Sequence, residues 1–133
     1  MIVDSCVLID IFTKDPEWYQ WSSAILTTQY QNNVQLRINP IIFSEIGLNF
    51  DSSEDLTNTV SMMKIIVEER SPAALFPVSR AYFKYKREHT GNKSNVLPDF
   101  FIGAHAADIG VYIITRDIKK FKTYFPGVKL ISS

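Results

Sequence analysis

Cysteine is nearly absent: Cys6 is the only one among 133 residues. A single thiol forms no intramolecular disulfide and builds no Cys-based zinc cluster. No apolar run approaches the roughly 18 residues of a membrane span, and the first residues lack the basic-then-apolar layout of a secretion signal. The expectation is a protein of a reducing cytoplasm, without membrane attachment. Neither sign of charge is in surplus. Fourteen Lys and Arg face 14 Asp and Glu, which argues against nonspecific coating of nucleic acid. At 46% hydrophobic and 21% charged, the composition is that of a folded globular chain, expected as one domain over residues 1–133.

What is present is acid in apolar company. Asp4 ends Met1-Ile2-Val3, Glu45 interrupts Ile41 to Ile46, Asp99 opens Asp99-Phe100-Phe101-Ile102, and Asp117 closes Val111 to Arg116. Such neighbours carry a carboxylate toward the interior, where an unpaired charge is expensive. Four acids brought together also repel one another unless a cation neutralises them.

The element pattern says where they meet. Residues 1–4, 34–39, 112–115 and 128–131 read as strands, and Ala74 to Val78 as a further short one. Helices are expected after Asp4, from Asp15-Pro16 onward, after Pro40, from the cap-like Asp51-Ser52-Ser53-Glu54 to Ser71-Pro72, after Ser79, and from Pro98 to Gly110. The fourth of these carries Leu56, Val60, Met63 and Val67 at core spacing. Residues 118–121 read as a short helical turn, and Thr90 to Asn95 as a loop. Strands alternating with helices predict an α/β fold, a central mainly parallel sheet flanked by helices in three layers.

In parallel α/β sheets, ligands collect beyond the carboxyl ends of the strands. Asp4 and Asp117 each follow a strand, while Glu45 and Asp99 each lie in a helix that starts at a proline. Oxygen-only ligands suit one or two Mg²⁺ ions, with Mn²⁺ as a substitute, and such ions activate water against phosphodiesters. Taken singly, Asp4 reads equally well as a helix cap, Asp99 as an acid favoured by the helix dipole, and Asp117 as a turn residue. Glu45 has no such alternative.

The ordered series Ile2-Val3-Asp4-Ser5, Asn39-Pro40 to Glu45, Pro98-Asp99 to Ala106, and Ile114-Thr115-Arg116-Asp117 resembles the PIN domain. More narrowly, it resembles the VapC toxins of type II toxin–antitoxin pairs. The resemblance implies a Mg²⁺-dependent endoribonuclease with Asp4, Glu45, Asp99 and Asp117 as the acidic cluster, and Ser5 and Thr115 supplying supporting hydroxyls. It further implies a VapB-like antitoxin, RNA as substrate and a homodimer. Cys6, and Lys119 with Lys120, depart from the family's pattern, and the lysines put the second metal position in doubt.

Other residues invite a role. Asp10 reads as a structural or solvated acid, and His105 as a packing residue rather than a general base. Arg116, Lys119 and Lys120 are candidates for RNA contact, balanced against a solvated helix face. The stripes Trp18, Trp21, Ile25 and Leu56, Val60, Met63 could line a groove for a partner's helix or simply fill the core. The rival functional readings are a PIN-like module that binds RNA or protein without cutting, and a metal-dependent phosphatase. Cys6, standing where an aspartyl-phosphate enzyme places its second Asp, counts against the latter.

Overall fold

The computed structural model describes residues 1–70 and 97–133, with 72, 73, 75, 76, 78–80 and 83 between them. Its elements run β1 (Ile2–Val3), α1 (Ser5–Phe12), α2 (Tyr19–Gln31), β2 (Leu36–Ile38), α3 (Pro40–Ile46) and α4 (Ser53–Met62). Then follow β3 (Ile65–Val67), α5 (Leu97–Ile109), β4 (Ile113–Ile114), α6 (Lys119–Lys122) and β5 (Leu130–Ile131). The five strands form one sheet in the order β3-β2-β1-β4-β5, with every pairing parallel.

This order places β1 in the middle. From it the chain moves outward through β2 and β3, then crosses to the other side for β4 and β5. The reversal makes a topological switch point between β1 and β4, the place beyond the strand ends where such sheets bind ligands. Asp4 leaves β1 at this place, its N–H still bonded to the carbonyl of Ile114 at 3.0 Å.

Burial explains why such short strands hold. Ile2, Val3, Ile38, Ile113 and Ile114 are fully buried, as parallel strands covered on both faces require. Leu8, Ile42, Ile46, Ile102 and Phe121 from the helices complete this main core. A smaller cluster of Val78, Phe100 and Ala104 packs with Tyr124 and Phe125. Gly103 lets that aromatic edge approach: a Cβ there would run into the Phe125 ring. Gly103→Ala is expected to cost about 1–3 kcal/mol through forced repacking, read as a lowered midpoint in urea unfolding.

Helix ends follow recognisable chemistry. Asn39 caps α3 by accepting from the Ile42 N–H at 2.9 Å, and Pro40 occupies the first turn. Asn33, Lys64 and Gly110, at φ of 59°, 59° and 67°, turn the chain in left-handed conformations out of α2, α4 and α5 and toward the next strand.

Several sequence expectations need correction. The cap of α4 is Ser52, accepting from the Asp55 N–H at 3.1 Å, one residue later than the cap-like pattern suggested. Helix α4 ends at Met62 rather than near Ser71, and Val67 belongs to β3. The left-handed Lys64 breaks the helix, and the branched run Ile65-Ile66-Val67 then favours a strand. Helix α2 begins at Tyr19, because the Asp15 carboxylate holds the preceding turn by accepting from the N–H groups of Glu17 and Trp18. Leu75, Phe76 and Val78 are helical, not a strand, and Ser79 lies within helix, donating to the Phe76 carbonyl instead of capping. The expected loop at 90–95 lies outside the described residues. So do His89 and most of the helix expected after Ser79.

Candidate metal centre at the switch point

Asp4 is completely buried. It precedes α1 in extended conformation but makes no side-chain cap bond, so the capping alternative does not account for it. Its two carboxylate oxygens differ. Oδ2 accepts from the Thr115 hydroxyl at 2.7 Å, from Lys120 Nζ at 2.8 Å and from the Cys6 thiol at 3.4 Å. Oδ1 is equally buried and has no hydrogen-bond partner among the described residues. A buried, unpaired acceptor on a charged group is costly and calls for an explanation.

Lys120, from α6, reaches a second carboxylate as well. Its ammonium lies 3.1 Å from Asp99 Oδ1, in the first turn of α5. Burial by itself would lower the Lys120 pKa, but the charges of Asp4 and Asp99 override it and hold the group above its usual value. Burial pushes the Asp99 carboxyl up, against the pull of Lys120 and with the push of Asp4 and Asp117.

Glu45 approaches from α3 with a buried Oε1 that likewise has no partner among the described residues. Its pKa is raised, first by burial and then by the nearby Asp4 and Asp99, while the Ser5 hydroxyl and Lys120 oppose this. Asp117 is exposed, and its backbone N–H is tied to the Thr115 hydroxyl at 3.0 Å. Thr115, completely buried, thus joins Asp4 to the turn that carries Asp117. Burial and Asp4 raise the Cys6 thiol to about 11, so it stays protonated at neutral pH and serves Asp4 as a donor.

The raised Glu45 carboxyl has a sign that experiment can read. A carboxyl that binds protons more readily folded than unfolded loses stability on ionising. That loss is absent below the ordinary carboxylate range and complete above the folded-state pKa. In EDTA, Glu45→Gln is therefore expected to raise the melting temperature at pH 7–8. The gain should shrink as pH falls toward about 4.

The structure thus brings Asp4, Asp99 and Lys120 into direct contact and sets Glu45 and Asp117 close enough to perturb them. Among the described residues, no three His, Cys, Asp or Glu side chains form a ready-made ion cage. The fit to Mg²⁺ rests instead on hard oxygen donors and on two buried oxygens without partners among the described residues, Asp4 Oδ1 and Glu45 Oε1. One or two carboxylates with several waters are what that ion ordinarily takes.

Two of the basic residues considered for RNA have partners of their own. Arg116 Nε and a terminal nitrogen grip Asp10 at 2.7 and 2.8 Å, and its guanidinium stacks 5.0 Å over the Trp18 ring. Lys120 is held by Asp4 and Asp99, while Lys119 is exposed. Asp10 is a buried structural acid, also accepting from the Ser22 hydroxyl at 2.7 Å. His105 is buried with its Nδ1 3.3 Å from Asn39, and burial followed by Arg70 lowers its pKa. The Lys120 bridge was not visible in the sequence as such. Its only signal was a lysine three residues past Asp117, next to the core residue Phe121.

An all-parallel five-stranded sheet with interleaved helices, its acids gathered at the switch point, is the PIN-like α/β fold. Solved structures share it across nearly the whole chain. One is VapBC2 from Rickettsia felis, crystallised bound to a promoter DNA fragment: 17% identity, TM-score 0.69, covering 99% of this chain and 97% of that one. Another is DNA-bound VapBC from Salmonella typhimurium, at 18% identity and TM-score 0.70, covering 98% and 96%. FitAcB from Neisseria gonorrhoeae follows at 16% identity and TM-score 0.57, covering 98% and 96%. No protein-family model and no curated protein matches the sequence significantly. Among the described residues, no helix is long and apolar enough to cross a membrane.

Proposed function

We propose that this chain is a Mg²⁺-dependent endoribonuclease, the toxin of a toxin–antitoxin pair acting in the cytoplasm. The observation that carries the reading is Asp4: a completely buried carboxylate at the sheet's switch point, with one oxygen saturated and the other bare. A structural acid would use both oxygens, as Asp10 does. The fold shared with the VapBC and FitAcB chains supports the toxin assignment.

Asp4 and Glu45 would hold the ion through their unpaired oxygens, with Asp99 and Asp117 nearby to bind through water. A divalent ion supplies an activated water and stabilises charge on the phosphate. The chain's own part is to orient and insulate. Thr115 and Ser5 fix the two acids, Ile2, Val3 and Ile114 exclude bulk water behind them, and exposed Lys119 would meet the phosphate backbone.

An antitoxin segment has a candidate seat away from this centre. A groove of about 410 Å³ is lined by Ile11, Leu26, Tyr30, Met62 and Met63, with Tyr30 and Met62 largely exposed. Leu56 and Val60 are core residues, so of the stripe considered for this role only Met63 lines the groove. A homodimer belongs to the same reading.

The test is incubation of the purified chain with total RNA in Mg²⁺ and in EDTA. Cleavage in Mg²⁺ that stops in EDTA is expected. RNA retained on the protein but left intact in Mg²⁺ would favour a non-cutting binding module.

A further inference from the structure

The acid centre already contains one cation, and that cation is covalently part of the chain. Lys120 Nζ bridges Asp4 Oδ2 and Asp99 Oδ1 at 2.8 and 3.1 Å, with its side chain only 20% exposed. The bridge leaves a clear division of labour. Asp4 Oδ2 is filled by Thr115, Lys120 and Cys6, while Asp4 Oδ1 and Glu45 Oε1 are buried and unfilled. In two-metal nucleases, the paired ions lie about 3.5–4 Å apart and together neutralise attacking and leaving oxygens. Here the space between Asp4 and Asp99 is occupied by an ammonium.

We propose that this chain binds a single divalent ion and that Lys120 is the fixed second cation of its centre. The ion is left the unpaired oxygens, Asp4 Oδ1 and Glu45 Oε1. The ammonium keeps the space between Asp4 and Asp99, where a second ion would otherwise bind. In that position Lys120 neutralises the acids before any ion arrives, as a positioning residue. It cannot wash out, and it cannot activate water as an ion does. The centre therefore has one water-activating site and one purely electrostatic site. This rests on the metal-dependent nuclease reading above.

The decisive measurement is the number of Mn²⁺ ions bound per chain by calorimetry, on the whole protein without RNA. One ion is expected. Two ions overturn this proposal and leave the nuclease reading intact, whereas no ion at all overturns the metal reading and this proposal with it. Lys120→Met supplies the second arm. Its melting temperature in EDTA should fall by several degrees, it should take up a second Mn²⁺, and Mn²⁺ should raise its melting temperature more than that of the natural chain. Lys120→Arg, which retains the charge, should still bind one ion. If Lys120→Met binds only one ion, at unchanged or tenfold tighter affinity, the lysine holds no second place and the proposal fails. Should Lys120→Met not fold, the natural chain and Lys120→Arg still decide by their stoichiometry.

Discussion

Asp4→Asn is expected to slow RNA cleavage at least a hundredfold while leaving the protein folded. The change is nearly isosteric, and an amide oxygen still accepts from the Thr115 hydroxyl that now sits 2.7 Å away. Lys120 keeps its second partner, Asp99, at 3.1 Å. What disappears is the negative charge on the one fully buried acid of the centre. Losing partners that merely orient metal ligands costs about 10–100-fold, so losing a charged ligand belongs at or beyond that upper end. A hundredfold corresponds to about 2.7 kcal/mol of transition-state stabilisation. The check is single-turnover cleavage in saturating Mg²⁺, beside a melting curve in EDTA. Unchanged cutting by a folded Asp4→Asn variant would mean that the activity belongs elsewhere.

Arg116→Met should lower stability by about 3 kcal/mol, without touching the acid centre. Asp10 is 2% exposed, and the Arg116 fork is its only charged partner among the described residues. Breaking a buried pair by removing one member costs about 3–5 kcal/mol, because the remaining charge is stranded. Arg116 is 27% exposed at its side chain, which places the estimate at the low end. For a chain of this size, the melting temperature should fall by roughly 10 °C. Adding Asp10→Asn removes the stranded charge while leaving an oxygen for Ser22, so the double variant should be more stable than Arg116→Met alone. If the second change brings a further loss instead, the pair is not what holds α1 against the turn after β4.

The two substitutions mark what the sequence could and could not disclose. Asp4 and Asp99 were legible because an acid inside an apolar run is locally expensive, and that expense is visible without a structure. The strands around them were legible for the same reason, since Ile2-Val3 and Ile113-Ile114 have nowhere to go but the interior. Asp10 carried the same signal, set after Val7, Leu8 and Ile9, but nothing nearby named its partner. Arg116 stands 106 residues away. Lys120 posed the same difficulty, because a lysine on a short polar helix looks solvated until the fold shows which carboxylates it faces.

Strand β3 was missed for a different reason. Leu56, Val60, Met63 and Val67 keep helical spacing straight through the point where the helix ends, so periodicity alone could not find the break. The three branched residues at 65–67 were the better guide. Likewise Ala74 to Val78 is too short for periodicity to separate strand from helix.

The bonds between Asp4, Thr115 and Lys120 also bear on the order in which the centre can assemble. The part of the chain that leaves the ribosome first includes Asp4, Glu45 and Asp99, yet it lacks the hydroxyl, the ammonium and the β4 carbonyl that hold Asp4 in place. A nascent chain thus carries its acids without the parts that pin them together. The centre is therefore expected to assemble only after β4 and α6 have been made.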